Sequence, residues 1–142
     1  MNPILRNILA IVAGGVIGML INGGLISIGP SIIPPPEGVD MTTTEGLAAG
    51  IKLLQPKHFI MPFLAHALGT LIGAFTAAKL AASHAQKLAI GIGAFFLIGG
   101  ITAASMIPAP TWFTTLDLVA AYLPMGWLGA KLAGKIGNQV RN

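Results

Sequence analysis

His66 and Asp117 are the residues of this sequence best suited to chemistry, because each stands inside an apolar run: HFIMPFLAHALGTLIGAFTAA from His58 to Ala78, and TWFTTLDLVAAYLPMGWLGA from Thr111 to Ala130. A carboxylate in such surroundings is costly unless it is paired or protonated. An imidazole is its natural partner, and the two together could bind a proton, a cation or a polar ligand. Two further polar residues fall at the same depth. Asn22 lies about six residues before the outer end of the first apolar run, and Thr102, with Ser105, lies near the outer end of the third. At ~1.5 Å per helical residue, Asn22, His66, Thr102 and Asp117 all come ~5–12 Å below one surface. Asn22 shares a face with Gly15 and Gly18, and His66 shares one with Thr70, so both are expected to point inward. These four are the candidate ligand- or proton-site residues. The competing reading is an Asn22–His66–Asp117 hydrogen-bond cluster that only locks helices together. Asp117 also has an interfacial alternative. The 13 uncharged residues before Lys131 make ~20 Å of helix against a ~30 Å hydrocarbon core. A snorkelling Lys131 would therefore let Asp117 sit at the outer boundary.

Other chemistries lack their residues. With no cysteine there is no disulfide, thiolate nucleophile or thiolate metal site. His58, His66 and His84 cannot form one metal site, since His84 falls in the opposite loop and the other two are eight residues apart. No carboxylate pair of the hydrolase kind is present, and the glycines lie in membrane segments rather than in a strand–helix phosphate loop. Ser27, Ser31, Ser83 and Ser105 have no base close in sequence. No catalytic residue, metal or cofactor is assigned.

The elements that must position the polar layer are membrane helices. Of 142 residues, 54% are hydrophobic and 8% charged, against about 25% charged in soluble domains; mean hydropathy is +0.82. The expected fold is all-α, an integral membrane four-helix bundle with spans at about 7–28, 58–78, 88–107 and 111–130, forming one domain over 1–142. The first span could instead be a signal peptide. Its apolar stretch exceeds the ~7–15 residues of such a segment, and no A-x-A-like site follows. With the N-terminus inside, Arg6, Lys79, Lys87, Lys131, Lys135 and Arg141 are cytoplasmic, and only Lys52 and Lys57 are outside. The positive-inside bias thus places both termini in the cytoplasm. The net charge of +4 is too scattered for a nucleic-acid face.

The outer loop, 29–57, carries Pro34–Pro36 and then a short amphipathic helix expected over Thr43–Leu54, with Leu47, Ile51 and Leu54 on one face. Thr42, three residues before Glu45, has capping-box spacing. A partly ordered loop is the alternative. Small residues recur at spacing four in helix two (Ala65, Gly69, Gly73, Ala77) and in helix one (Gly14, Gly18). They fit either tight packing within the bundle or a homo-oligomer seam. Trp112 and Trp127 fit anchors at the two interfaces, and Pro124 predicts a kink in helix four.

At QPKHF (Gln55–Phe59), PFLAHALGTLIGAF (Pro62–Phe75) and PTWFTTLDLVAAYLPMGWLGAKLAG (Pro110–Gly134), the chain resembles a group of small four-helix bacterial membrane proteins of Bacteroidetes type. The resemblance implies an inner-membrane location and brings no activity with it. Three functions compete: a transporter, channel-like or ligand-binding protein using the outer polar layer; a structural or accessory subunit of a larger membrane complex; and an enzyme acting on a lipid-borne substrate. The expected partners are the lipid bilayer and a second copy or another membrane protein.

Overall fold

The first helix, α1 (Pro3–Ile32), begins where the side chain of Asn2 accepts a hydrogen bond from the Ile4 N–H at 2.8 Å. Pro3 fills the first helical position, where no N–H is needed. The helix stops at the Pro34–Pro36 run, with Ile33 closing the last turn onto Gly29. It is longer than the expected 7–28 at both ends, because hydropathy marks the apolar stretch while caps and prolines mark the helix. The computed structural model describes the backbone of residues 1–139 and the side chains of residues 1–134. Arg141 and the Lys135 side chain, two of the charges used for orientation, lie outside these.

After α1 come α2 (Thr44–Gly50), short 3-10 turns at Ile51–Leu53 and Pro56–Phe59, α3 (Ile60–Leu80), α4 (Ala85–Met106), α5 (Thr111–Ala120) and α6 (Leu123–Gln139). No strand occurs among the described residues. Three segments, Pro3–Ile32, Pro56–Leu80 and Ala85–Met106, are long and apolar enough to cross a membrane. The expected single helix over 111–130 is instead two helices broken at Ala121–Tyr122. Pro124 is the cause: it offers no N–H to the carbonyl of Ala120 and its ring crowds that turn, whereas it sits comfortably at the second position of a new helix.

Helix α3 is the centre, packed against α1, α4 and α6. Glycine permits the approach to α1. A Cβ on Gly73 would lie 2.6 Å from the Gly14 carbonyl oxygen, and one on Gly69 would lie 2.9 Å from that of Gly18. Ala65 and Ala77 are fully buried along the same helix. Backbone contact of this kind, rather than apolar burial, holds helices together in lipid. The core shared by α3, α4 and the α5–α6 segment is small-residue rich, with Ala74, Ala77, Ala89, Ala121 and Ala133 around Ile92, Phe96 and Tyr122.

The two ends of the packed helices differ. At the end holding the N-terminus, Arg6 donates to the Leu80 carbonyl (2.8 Å), and Asn7 accepts from the N–H groups of Ala82 and Ser83. Side chains of α1 thus cap α3 and the turn into α4. The opposite end carries the long loop. Gly38 turns with φ 83°, a left-handed conformation that favours glycine. Asp40 then accepts from the Thr42 hydroxyl (2.6 Å), the Thr42 N–H (2.7 Å) and the Thr43 hydroxyl (3.1 Å). The Thr42 hydroxyl and N–H hold the Asp40 carboxyl below the usual carboxylate range. The cap of α2 is Thr43, whose oxygen accepts from the Gly46 N–H at 3.0 Å, and not Thr42, which is taken up by Asp40. The helix ends at Gly50, short of the expected Leu54.

Candidate functional site

His66 stands on α3 and Asp117 on α5, 51 residues apart in sequence. His66 Nδ1 lies 2.8 Å from Asp117 Oδ1 and 2.9 Å from Oδ2, so one hydrogen bridges the ring and the carboxyl group. Asp117 is buried at 5% exposure. A third member, absent from the sequence reading, is Tyr122: its hydroxyl donates to Asp117 Oδ2 at 3.0 Å, and its ring stacks on His66 with centroids 5.8 Å apart. On a continuous helix of 3.6 residues per turn, side chains five apart diverge by about 140° and would not meet. The break at Ala121–Tyr122 turns Tyr122 back along α4, where its backbone carbonyl rests on Gly93 and its hydroxyl reaches Gly100. Pro124 was the available signal, since a broken helix frees the residue before the break from helical spacing.

The other two candidates do not join this cluster. Asn22 is half-buried, with its Cβ against Gly69, and makes no hydrogen bond to His66 or Asp117 among the described residues. Thr102 is exposed on the outer face of α4 and donates to the Ile98 carbonyl of its own helix at 2.9 Å, as Ser105 does to Thr102. A helical threonine can satisfy its hydroxyl on the preceding turn and needs no interhelical partner. Depth therefore placed these residues in one layer without fixing which way they point. Thr70, one turn from His66, is fully buried and its hydroxyl has no partner among the described residues.

Above the cluster is a cavity of about 220 Å³. The end of α1 lines one side (Ile26, Gly29, Pro30) and the end of α4 another (Gly100, Ala103, Ala104). His66 and Asp117 form part of the wall, and the loop covers it with Met41, Leu47, Ile51 and Leu54. The lining is almost wholly apolar, with Thr114 and His58 the other polar side chains. His58 is spent on structure. Its Nδ1 accepts from the Gln55 N–H at 2.9 Å, which puts the ring hydrogen on Nε2, and that nitrogen donates to the Pro34 carbonyl at 3.1 Å. It thereby ties the start of the loop to the start of α3. Ile51, Phe59 and Phe113 pack the loop onto α5, with Trp112 edge-on to Phe59. His66 Nε2, by contrast, has no protein partner among the described residues.

No group of three or more His, Cys, Asp or Glu side chains that could hold a metal ion occurs among the described residues. The arrangement sets an imidazole–carboxyl pair in the wall of an apolar space, with His66 Nε2 not engaged by the described residues. Comparison of the chain with protein-family models, curated proteins and solved structures finds no match.

Proposed function

We propose that this is a small polytopic membrane protein that binds a ligand in the cavity beneath its long loop, with the His66–Asp117–Tyr122 cluster reading the ligand's polar group. The α5–α6 pair makes the fourth crossing as a broken helix, both termini are cytoplasmic, and the membrane is a bacterial inner membrane. The observation that carries this reading is the union of three features in one place: a cavity of about 220 Å³, an apolar lining, and an ionisable pair in its wall, half-buried His66 on buried Asp117, with Nε2 unspent. An apolar pocket with a few convergent polar groups is the usual form of a small-molecule site, and ionisable side chains within a membrane domain most often serve binding or transport. A broken helix at membrane depth is tolerated where it lines a cavity or is buried in protein, and Tyr122, at the break, is 2% exposed.

Native mass spectrometry of the protein, extracted gently from its own membrane, tests the reading. A small molecule retained by the wild type and depleted in Asp117→Asn is the expected result. A protein that emerges with nothing bound, or with the same bound mass in both forms, would overturn it.

A further inference from the structure

Resting on that reading, we infer that the ligand is an uncharged, membrane-dissolved amphiphile with a carbonyl head, which enters sideways between α1 and α4 and accepts a hydrogen bond from His66 Nε2. The protonation of the pair decides the head. Two arrangements leave His66 and Asp117 without net charge: imidazolium against carboxylate, and imidazole against carboxylic acid. In the first, both ring nitrogens carry hydrogen. In the second, the acid donates to Nδ1 and the single ring hydrogen sits on Nε2. Either way Nε2–H is a donor. A neutral ring donating Nδ1–H to a bare carboxylate would make Nε2 an acceptor; that arrangement leaves a net negative charge on buried Asp117, offset only by the hydrogen bonds from the ring and Tyr122, and is the costlier one in an apolar wall. No other Asp, Glu, Lys or Arg lines the cavity among the described residues, so a charged head would meet no counter-charge either. A carbonyl oxygen, as in a ketone, quinone or ester, accepts from Nε2–H and brings no hydrogen of its own to be satisfied.

The walls decide the route. Helices α1 and α4 meet where Phe96 lies against Gly18. Further towards the loop end, both helices line the cavity with small or stiff residues, Gly29 and Pro30 on α1 and Ala103 and Ala104 on α4. Ile26 belongs to the lining and is 40% exposed, which makes this side the candidate opening to lipid. On the side towards the loop, Ile51 is 4% exposed, and Met41, Leu47 and Leu54 are half-buried. About 220 Å³ is somewhat more than the ~150 Å³ of a cavity that takes up benzene. That holds a head and a short apolar stretch, so a longer tail extends beyond the cavity.

The test uses the full chain in phosphatidylcholine vesicles with carbonyl-¹³C 2-undecanone as probe and isotope-edited infrared spectroscopy as readout. A saturable carbonyl band, shifted to lower frequency than that of the probe in protein-free vesicles, is expected for the wild type. His66→Phe should remove it, or weaken binding at least about tenfold, as loss of one hydrogen bond to a charged or polarised donor does. Because His66→Phe leaves Asp117 unpartnered and can unfold the bundle, His66→Phe/Asp117→Leu, which removes the pair whole, is measured beside it and should show the same loss. Ala104→Trp should block entry, while Leu47→Trp, on the loop side, should slow it less. A shifted band that persists in the folded double variant overturns the assignment of the donor. Entry blocked by Leu47→Trp and untouched by Ala104→Trp overturns the lateral route. No shifted band in the wild type, with a different molecule retained in native mass spectra, overturns the carbonyl head and leaves the ligand-binding reading standing; no band and no retained molecule overturns both.

Discussion

Tyr122 does at residue scale what Asn22 and Thr102 were expected to do. Its hydroxyl supplies the second hydrogen bond to Asp117, and a hydrogen bond to a charged or strongly polarised partner contributes about 1.5–3 kcal/mol. Tyr122→Phe keeps the ring that fills the core and removes only that donor. It should lower stability by about 1–2 kcal/mol, measured by denaturant titration in lipid-like micelles, and should shift the ¹⁵N resonances of His66. Resonances left in place would mean that Tyr122 does not act on the pair. Thr70 offers the opposite case. Its hydroxyl is buried and without a partner among the described residues, so Thr70→Val, which keeps the shape, removes a desolvation cost. Stability should rise by up to about 1 kcal/mol in the same titration, and a loss would show that the hydroxyl is satisfied in solution.

At the scale of elements, two devices place the site. The first is the glycine contact between α1 and α3. A side chain on Gly73 must displace the backbone of Gly14, since even a Cβ would come within 2.6 Å of its carbonyl oxygen. Gly73→Leu should therefore cost at least about 1–3 kcal/mol, the usual penalty for overpacking. The measurement is unfolding of the isolated protein. Normal stability of the purified variant, with loss only of a larger assembly, would instead assign the seam to a partner. The second device is the break between α5 and α6. Pro124→Ala restores an N–H for the Ala120 carbonyl and favours a continuous helix by about 3 kcal/mol in propensity. It should carry Tyr122 away from Asp117 and reduce ligand retention while leaving helix content unchanged or higher by circular dichroism. Full retention of the ligand would show that packing of Tyr122 against Gly93 and Gly100, rather than the proline, holds the break.

At the scale of the whole molecule, the ends of the bundle have different work. The N-terminal end is sealed by Arg6 and Asn7 onto the α3–α4 turn, whereas the loop end is hollow and covered. The proposed orientation puts the hollow end outside. Because the chain has no cysteine, single cysteines report it cleanly. A cysteine at Lys57 should react with a membrane-impermeant maleimide in intact cells, and one at Lys87 only after lysis; the reverse pattern would invert the topology. Lys131, whose ammonium lies 4.2 Å from the centroid of the Trp127 ring, belongs to the same scale: a cation held over an exposed indole suits a membrane–water boundary.

The sequence by itself determined that the chain is helical and that long segments of it suit lipid, because 8% charged residues cannot clothe a water-facing surface and a period of apolar length is readable without neighbours. It also determined that the prolines at 34–36 cannot lie inside a helix and that Pro124 disturbs one, since a missing N–H is a local property; the end of α1 at Ile32, past the expected 28, it did not give. Position along each helix likewise follows from counting. Direction does not. Whether Thr102 faces a helix or lipid, and whether Asn22 meets the carboxyl group, depends on the rotation of each helix about its axis. That rotation is set by which backbones can touch, at Gly14 with Gly73, Gly18 with Gly69 and Gly93 with Tyr122. The degree of the Pro124 disturbance was tertiary too: a kink and a full break differ only in whether neighbours receive the freed groups, and α4 provides a glycine-lined bed for Tyr122. The cavity is the clearest case. Its lining comes from α1, the loop, α3, α4 and α5, and an empty space bounded by five segments is a property of their packing that no one segment carries.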